Sequence, residues 1–168
     1  MTKLALLTGG SRGIGTATAD MLRARGWTVE TPTRAELDLR GKVEWTYQEP
    51  CQGPNDRLDA LIFCHGEWYS NQMINHQWGA YMDQYALRVA LPVTLYFMMW
   101  NALVRAGGSV TMVASTQAFG GRAETGPYGA ACSAQIRLIQ GWAGLKDGIR
   151  YNAVCPGLTD SGMAAQVR

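Results

Sequence analysis

The stretch "TGGSRGIG" places glycines at positions 9, 10, 13 and 15, directly after the apolar run "LALL" and directly before a helical pattern. Glycines in that context permit a tight turn, let backbone N–H groups approach a pyrophosphate, and aim a helix N-terminus at its negative charge. Gly9, Ser11, Arg12, Gly13, Ile14 and Gly15 are therefore the predicted cradle of a dinucleotide. Charge bears on which one. An acid at the end of the second strand bonds a ribose 2′-hydroxyl, whereas an arginine there suits a 2′-phosphate. The chain offers Arg34 at about that place and Arg12 inside the loop, with no acid between Thr31 and Arg34, which favours NADP over NAD. A second set of chemistry-bearing side chains, Ser115 in "ASTQ" and Tyr128 in "PYGAACSAQ", reads on its own as capping or loop hydroxyls.

The elements that position these residues alternate. "KLALLTGGSRGIGTATADMLRARGW" reads as strand, glycine turn and helix, with Ile14, Ala17, Met21 and Leu22 on one face and Gly26 as the stop. "WTVETPT" is a second strand closed by Pro32, and "AELDL" suggests a very short third one with almost no helix before it. "LDALIFCHG" and "GSVTMVAS" are continuous apolar strands of the kind a parallel sheet buries on both faces, separated by a helix from Trp78 to Leu103. A helix from Tyr128 to Lys146 and a last strand in "IRYNAVCPG" complete the pattern. This predicts one α/β domain over 1–168: a doubly wound, mostly parallel, Rossmann-like sheet of six strands with helices on both faces.

Composition sets bounds on partners. Apolar residues are 47% and charged residues 17% of the chain, and the net charge of +2 is spread without a basic run, which predicts a globular protein with no nucleic-acid or membrane partner. Cys51, Cys64, Cys132 and Cys155 show no metal-ligand spacing, so reduced thiols in a cytoplasmic protein and no metal site are expected. The run "VALPVTLYFMMW" contains a proline and falls short of the roughly 20 residues a bilayer span needs.

Taken in order, the motifs Thr8-Gly9-x-x-x-Gly13-x-Gly15, Ser115 thirteen positions before Tyr128, and the Pro156-Gly157 that ends "IRYNAVCPG" resemble the short-chain dehydrogenase/reductase family over residues 2 to 163. The resemblance implies a hydride transfer between NADP, or NAD, and a small carbonyl or alcohol substrate. Tyr128 would be the acid/base and Ser115 would hold the substrate oxygen. It also implies that Asp38 contacts the adenine, that Leu39 lies along its ring, and that Cys64, Gly66, Pro156 and Gly157 are cofactor contacts. The alternatives are a nucleotide-binding pseudoenzyme, acting as sensor or scaffold, and a structural subunit with an empty loop.

The sequence departs from the family pattern at three places. Cys132 stands where the family has a lysine, "FCHG" (Phe63 to Gly66) replaces Asn-Asn-Ala-Gly, and Arg88 in "RVALP" replaces an asparagine. Lowering a tyrosine pKa from about 10 to about 7 takes about 4 kcal/mol. One cation at about 5 Å supplies roughly 3 kcal/mol at an effective dielectric near 20. Arg88 is therefore the expected replacement for the lysine charge, and His65 is a second candidate that reads more readily as a hydrogen-bonded structural residue.

Arg168 follows the Pro-Gly motif closely, so the family's usual last strand is expected to be absent, leaving an exposed strand edge. The long helix carries Tyr81, Met82, Tyr85, Leu91, Leu95, Met98, Met99 and Trp100, apolar on more than one face, which predicts a homo-oligomer.

Overall fold

The structure is a computed structural model that describes residues 2–33, 36–37, 56–69 and 78–160. Five strands among these form one sheet: β1 (Leu4–Thr8), β2 (Thr28–Glu30), β3 (Ala60–Phe63), β4 (Ser109–Val113) and β5 (Arg150–Val154). Their order is β2-β1-β3-β4-β5 and every pairing is parallel. The fold class is as predicted, with five described strands in place of six. The remaining candidate, "AELDL", falls mostly outside the described residues, and its described members, Glu36 and Leu37, lie in a turn.

The helices follow from the apolar pattern. Helix α1 (Gly13–Ala24) joins β1 to β2. Helices α2 (Trp78–Tyr85) and α3 (Leu91–Ala106), linked by a π-helical turn at Ala86–Ala90, join β3 to β4, and α4 (Gly126–Ala143) joins β4 to β5. Right-handed crossovers running outward from β1 in opposite directions put α1 on one face of the sheet and α3 with α4 on the other. On that second face Leu95, Tyr96, Met99 and Leu103 are buried against Leu61, Phe63, Val110 and Met112. Register aligns the strand ends: Thr8 pairs with Phe63, Phe63 with Met112, and Val113 with Val154. The chain therefore leaves β1, β3, β4 and β5 at one edge of the sheet, with the change of direction between β1 and β3, where open α/β sheets bind ligands.

Several expected boundaries and faces differ. The predicted α1 face is rotated: Gly15 and Ala19 are buried, Ala17 is exposed and Met21 points into solvent, because two small residues let the helix lie close to the strands. Helix α4 ends at Ala143 and does not reach Lys146, which takes a positive φ of 54°. The long helix runs on from Leu103 to Ala106, where Gly107 in the left-handed conformation caps it. It is not continuous. Pro92 lacks an N–H and its ring clashes with the carbonyl of the residue four before it, Arg88, so the chain widens into a π turn immediately upstream. Of its expected outward residues, Leu91, Leu95 and Met99 face the sheet, while Met82, Tyr85 and Trp100 remain exposed, joined by Trp78, Phe97 and Val104. By length and composition alone Trp78–Ala106 is long and apolar enough to cross a membrane; half of its most apolar window is buried inside the fold, as in a core helix.

At the opposite end of the sheet, Asp147 ties α3 to the approach of β5. Its carboxylate accepts from the Tyr151 hydroxyl at 2.6 Å, the Trp100 indole at 3.0 Å and the Ile149 amide at 3.0 Å. Beside it Tyr96 stacks on Trp142 at 4.1 Å. Burial pushes the Asp147 pKa up, but the bonds from Tyr151, Trp100 and Ile149 outweigh it and hold the group below the ordinary carboxylate value. A carboxyl depressed by folding stabilises the protein above the unfolded pKa of about 4, and the contribution is lost as pH falls through the folded value. Asp147→Asn should therefore lower Tm at pH 7, with the gap to the parent closing below about pH 4; a gap that stays constant across that range in thermal scans would contradict the assignment.

Candidate active site

The edge where the strands end opens into a cleft of about 960 Å³. Its first wall is the glycine loop. Gly9 has φ +78°, and a Cβ there would come within 2.5–2.8 Å of the backbone of Cys64 and His65. A Cβ on Gly15 would overlap the Gly9 carbonyl oxygen. Only glycine lets β1 turn against the end of β3 and start α1 within the same few residues. The Thr16 hydroxyl closes the turn on the Gly10 carbonyl at 2.8 Å. The N-cap, Arg12, makes no side-chain cap bond, and no acid occupies the first turn, so this helix end carries uncompensated positive character toward the cleft. Those observations fit a pyrophosphate.

Ser11, Arg12, Gly13 and Ile14 line the cleft with Gly9 and Gly15, as do Cys64, Gly66, Pro156 and Gly157. The Cys64 thiol is pushed up to about 11 by burial, so it is a neutral wall and not a nucleophile. Arg34, Asp38 and Leu39 lie outside the described residues. On the far side Thr31, Pro32, Thr33 and Leu37 bound the cleft, with Glu36 accepting from the Thr33 amide at 2.7 Å and its hydroxyl at 2.8 Å.

The other end of the cleft holds the hydroxyl pair. Ser115 follows β4 and caps a short 3₁₀ turn (Thr116–Ala118), its Oγ accepting from the Gln117 amide at 3.2 Å, which leaves the hydroxyl hydrogen to donate. Tyr128 is in the first turn of α4, 4% exposed, with its ring 5.1 Å from that of Trp68. Burial and three neighbouring groups act on its phenol. Burial raises its pKa most, the Arg88 charge lowers it, the neighbouring Cys132 thiol raises it, and the hydrogen bond from Ser115 lowers it; the balance stands above the ordinary value. Cys132 is fully buried one turn along α4, and burial pushes its thiol up as well.

Arg88 is where sequence reasoning looked for a cation. It is 2% exposed, and its guanidinium carbon lies 4.4 Å from the centroid of the Tyr128 ring, packed directly on Gly66. That keeps the charge within roughly 8 Å of the phenolic oxygen, inside one Debye length. Its three hydrogen bonds go to Gln84 Oε1 at 3.2 Å, Gln135 Oε1 at 3.4 Å and the Glu67 carbonyl at 3.4 Å.

His65 is fully committed elsewhere. In the π turn the Leu91 amide bonds to the Ala86 carbonyl, five residues back, which releases the Leu87 carbonyl from the ladder. His65 Nε2–H donates to that carbonyl at 2.7 Å, so Nδ1 carries no hydrogen and accepts from the Thr8 hydroxyl. Burial, helped by Arg88, lowers its pKa to about 4, and it is neutral throughout the working range. Sequence reasoning missed Gln84, Gln135 and Trp68. The signal was present for the two glutamines: Gln84 stands four residues before Arg88, and Gln135 stands seven after Tyr128, on the helical face that carries the tyrosine.

Residues 42–168 match the family model described as short chain dehydrogenase, and the chain belongs to that family of oxidoreductases. It is 27% identical over 190 residues to the uncharacterised oxidoreductase YmfI of Bacillus subtilis, an alignment spanning 99% of this chain and 78% of that protein. It is 28% identical over 192 residues to the acetoacetyl-CoA reductase of Rhizobium meliloti, with the same coverage of 99% and 78%. Among solved structures, the fold matches a short chain dehydrogenase of Shigella flexneri complexed with NADP at a TM-score of 0.83, with 22% identity over 98% of this chain and 80% of that one. It also matches a family oxidoreductase of Brucella ovis in complex with a partially ordered NAD at a TM-score of 0.75, with 24% identity over 93% and 83% of the two chains.

A histidine depressed by folding is protonated more readily in the unfolded chain, so its cost to stability is absent above about pH 6.5 and grows as pH falls toward 4. Tm should fall across that window in the parent. His65→Gln should flatten the fall even if it lowers Tm overall, and an unchanged pH slope would show that His65 does not titrate as placed.

Proposed function

We propose that the chain catalyses hydride transfer between NADP(H) and a carbonyl or alcohol of a small molecule. The observation that carries this is a phenol, Tyr128, flanked by the Ser115 hydroxyl that donates to it and by the charge of Arg88, in one continuous cleft with the glycine loop. A nicotinamide dinucleotide supplies or accepts the hydride when bound. Its pyrophosphate suits the N-terminus of α1, with Gly9, Gly13 and Gly15 giving close backbone approach.

The chain's own residues account for the proton. In the reducing direction Ser115 donates a hydrogen bond to the substrate oxygen and Tyr128 delivers the proton to it; in the oxidising direction the phenolate takes that proton back. Before substrate binds the one Ser115 hydrogen goes to the phenol, and on binding it passes to the substrate oxygen; Arg88 favours the phenolate electrostatically, the role for which Cys132 is neutral and too short. The cation acts through the ring face and not through a bond to the hydroxyl, so it lowers the proton's cost without competing for substrate. Arg12 at the loop, with Arg34 next in sequence to Thr33, supports the preference for a 2′-phosphate.

A homo-oligomer fits this reading. Trp78, Met82 and Tyr85 on α2 and Phe97 and Val104 on α3 are exposed apolar side chains, which a second copy would cover. Light scattering should show an oligomer that Phe97→Glu weakens; a monomeric parent would reject it.

Thermal shift should be larger with NADPH than with NADH at equal concentration, and equal or reversed shifts would reject the NADP preference. Tyr128→Phe should keep the NADPH shift and lose about 10²–10⁴-fold in turnover. Turnover that survives this change rejects Tyr128 as the acid/base, and a parent that binds without turnover is a nucleotide-binding protein and not an enzyme.

A further inference from the structure

Arg88 is a buried cation without a carboxylate. All three of its hydrogen-bond acceptors are neutral oxygens, and among the described residues its guanidinium forms no ion pair. Buried charges are ordinarily paired, because an unpaired one is left with a large loss of hydration. The surroundings depart from a second rule. Gln135 is fully buried, its Oε1 is given to Arg88, and its Nε2 has no acceptor. Turning the amide over would aim its donors at a guanidinium that has only donors, so the side chain is held in an orientation that leaves its own N–H groups unsatisfied. A glutamate at 135 would remove that orphan and pair the arginine, and the sequence has glutamine there.

We propose that Gln84 and Gln135 are positioning residues that hold the Arg88 guanidinium over Tyr128 with neutral acceptors, so that its full charge is directed at the phenol. The inference rests on the reading of Arg88 as the replacement for the lysine charge. Gln84 reaches Arg88 from α2, one turn upstream, and Gln135 reaches it from α4, the helix that carries Tyr128. The guanidinium is thus fixed to both sides of the helix contact, and the Glu67 carbonyl closes the third direction. Every other group facing the phenol is weaker in charge. Cys132 on its own helix is a protonated thiol, with Cys155 after β5 behind it; Ser115 after β4 is a neutral donor; Trp68 and Tyr69 after β3 are uncharged packing; and His65 beyond Arg88 is neutral. Neutral acceptors are what this arrangement requires: a carboxylate at either glutamine position would cancel the only cation acting on Tyr128 among the described residues.

The test places 3,5-difluorotyrosine at position 128, which brings its titration into the neutral range, and follows it by ¹⁹F NMR without cofactor or substrate. Arg88→Met should raise the titration by about one to two pH units, the size of one nearby charge. Gln135→Glu and Gln84→Glu should each raise it in the same direction, and Gln135→Glu should keep or raise Tm because it removes the orphan donor and pairs the guanidinium. Gln135→Met should raise it in the parent and leave it unmoved in the Arg88→Met background. If Arg88→Met leaves the titration in place, the reading of Arg88 itself fails. If Arg88→Met shifts it while both glutamate variants do not, only the positioning role is overturned. An equal shift from Gln135→Met with and without Arg88 also overturns that role, since it would act by general loosening; Gln84→Glu keeps the test open if position 135 tolerates no change.

Discussion

The site depends on one neutral imidazole joining three elements that are distant in sequence. His65 accepts from Thr8 at the end of β1, sits at the exit of β3, and donates to Leu87 in the π turn between α2 and α3. That last bond exists because Pro92 disturbs the helical ladder and a carbonyl becomes available that a regular α-helix would have used internally. The same widened turn carries Arg88, the residue after Leu87, into the space over Tyr128. Helix geometry, strand exit and glycine turn are thus fixed together: Gly9 has room for no side chain because the His65 backbone lies against it.

Neutrality of this imidazole matters as much as its bonds. Arg88 already places one cation in the interior, and a protonated His65 beside it would add a like charge in a poorly solvated region, costing roughly 3 kcal/mol at about 5 Å even at an effective dielectric near 20. Burial and the arginine both push His65 toward the neutral form. Among the described residues this part of the interior therefore carries its charge on one guanidinium, bonded to neutral acceptors. For Tyr128 the outcome is a contest in which burial still exceeds the arginine's effect, so the resting phenol stays protonated. That is the form the proposed proton donor needs for carbonyl reduction, and on that reading the cation limits the cost of the phenolate left behind.

Much of this was legible in the sequence. The glycine spacing identified the loop, the continuous apolar runs identified buried parallel strands, and the thirteen-residue interval from Ser115 to Tyr128 located the hydroxyl pair. What escaped was whatever depends on contacts between elements. The face of α1 was misjudged because Ala17 and Met21 satisfy the helical period as well as Gly15 and Ala19 do, and closeness of approach to the sheet decides between them. The π turn was hidden because a proline four residues after Arg88 marks a disturbance without saying which way the backbone relaxes. Gln84 and Gln135 went unread because helical spacing puts them on the faces of Arg88 and Tyr128 without saying that both side-chain oxygens turn to one guanidinium.

Cys132 also acquires a physical reason. Read against the family pattern alone it is a loss, a small neutral thiol where a long cation is expected. With Arg88 over the Tyr128 ring, a lysine one turn along α4 would bring a second cation to the same phenol. The two would repel in the interior, and one would have to lose its proton or leave. A small apolar-tolerant residue is the kind that fits there, and Cys132 is fully buried within α4. On the proposed reading the cysteine and the arginine belong together: the positive charge that faces the tyrosine sits on the turn opposite it and not on the helix that carries it.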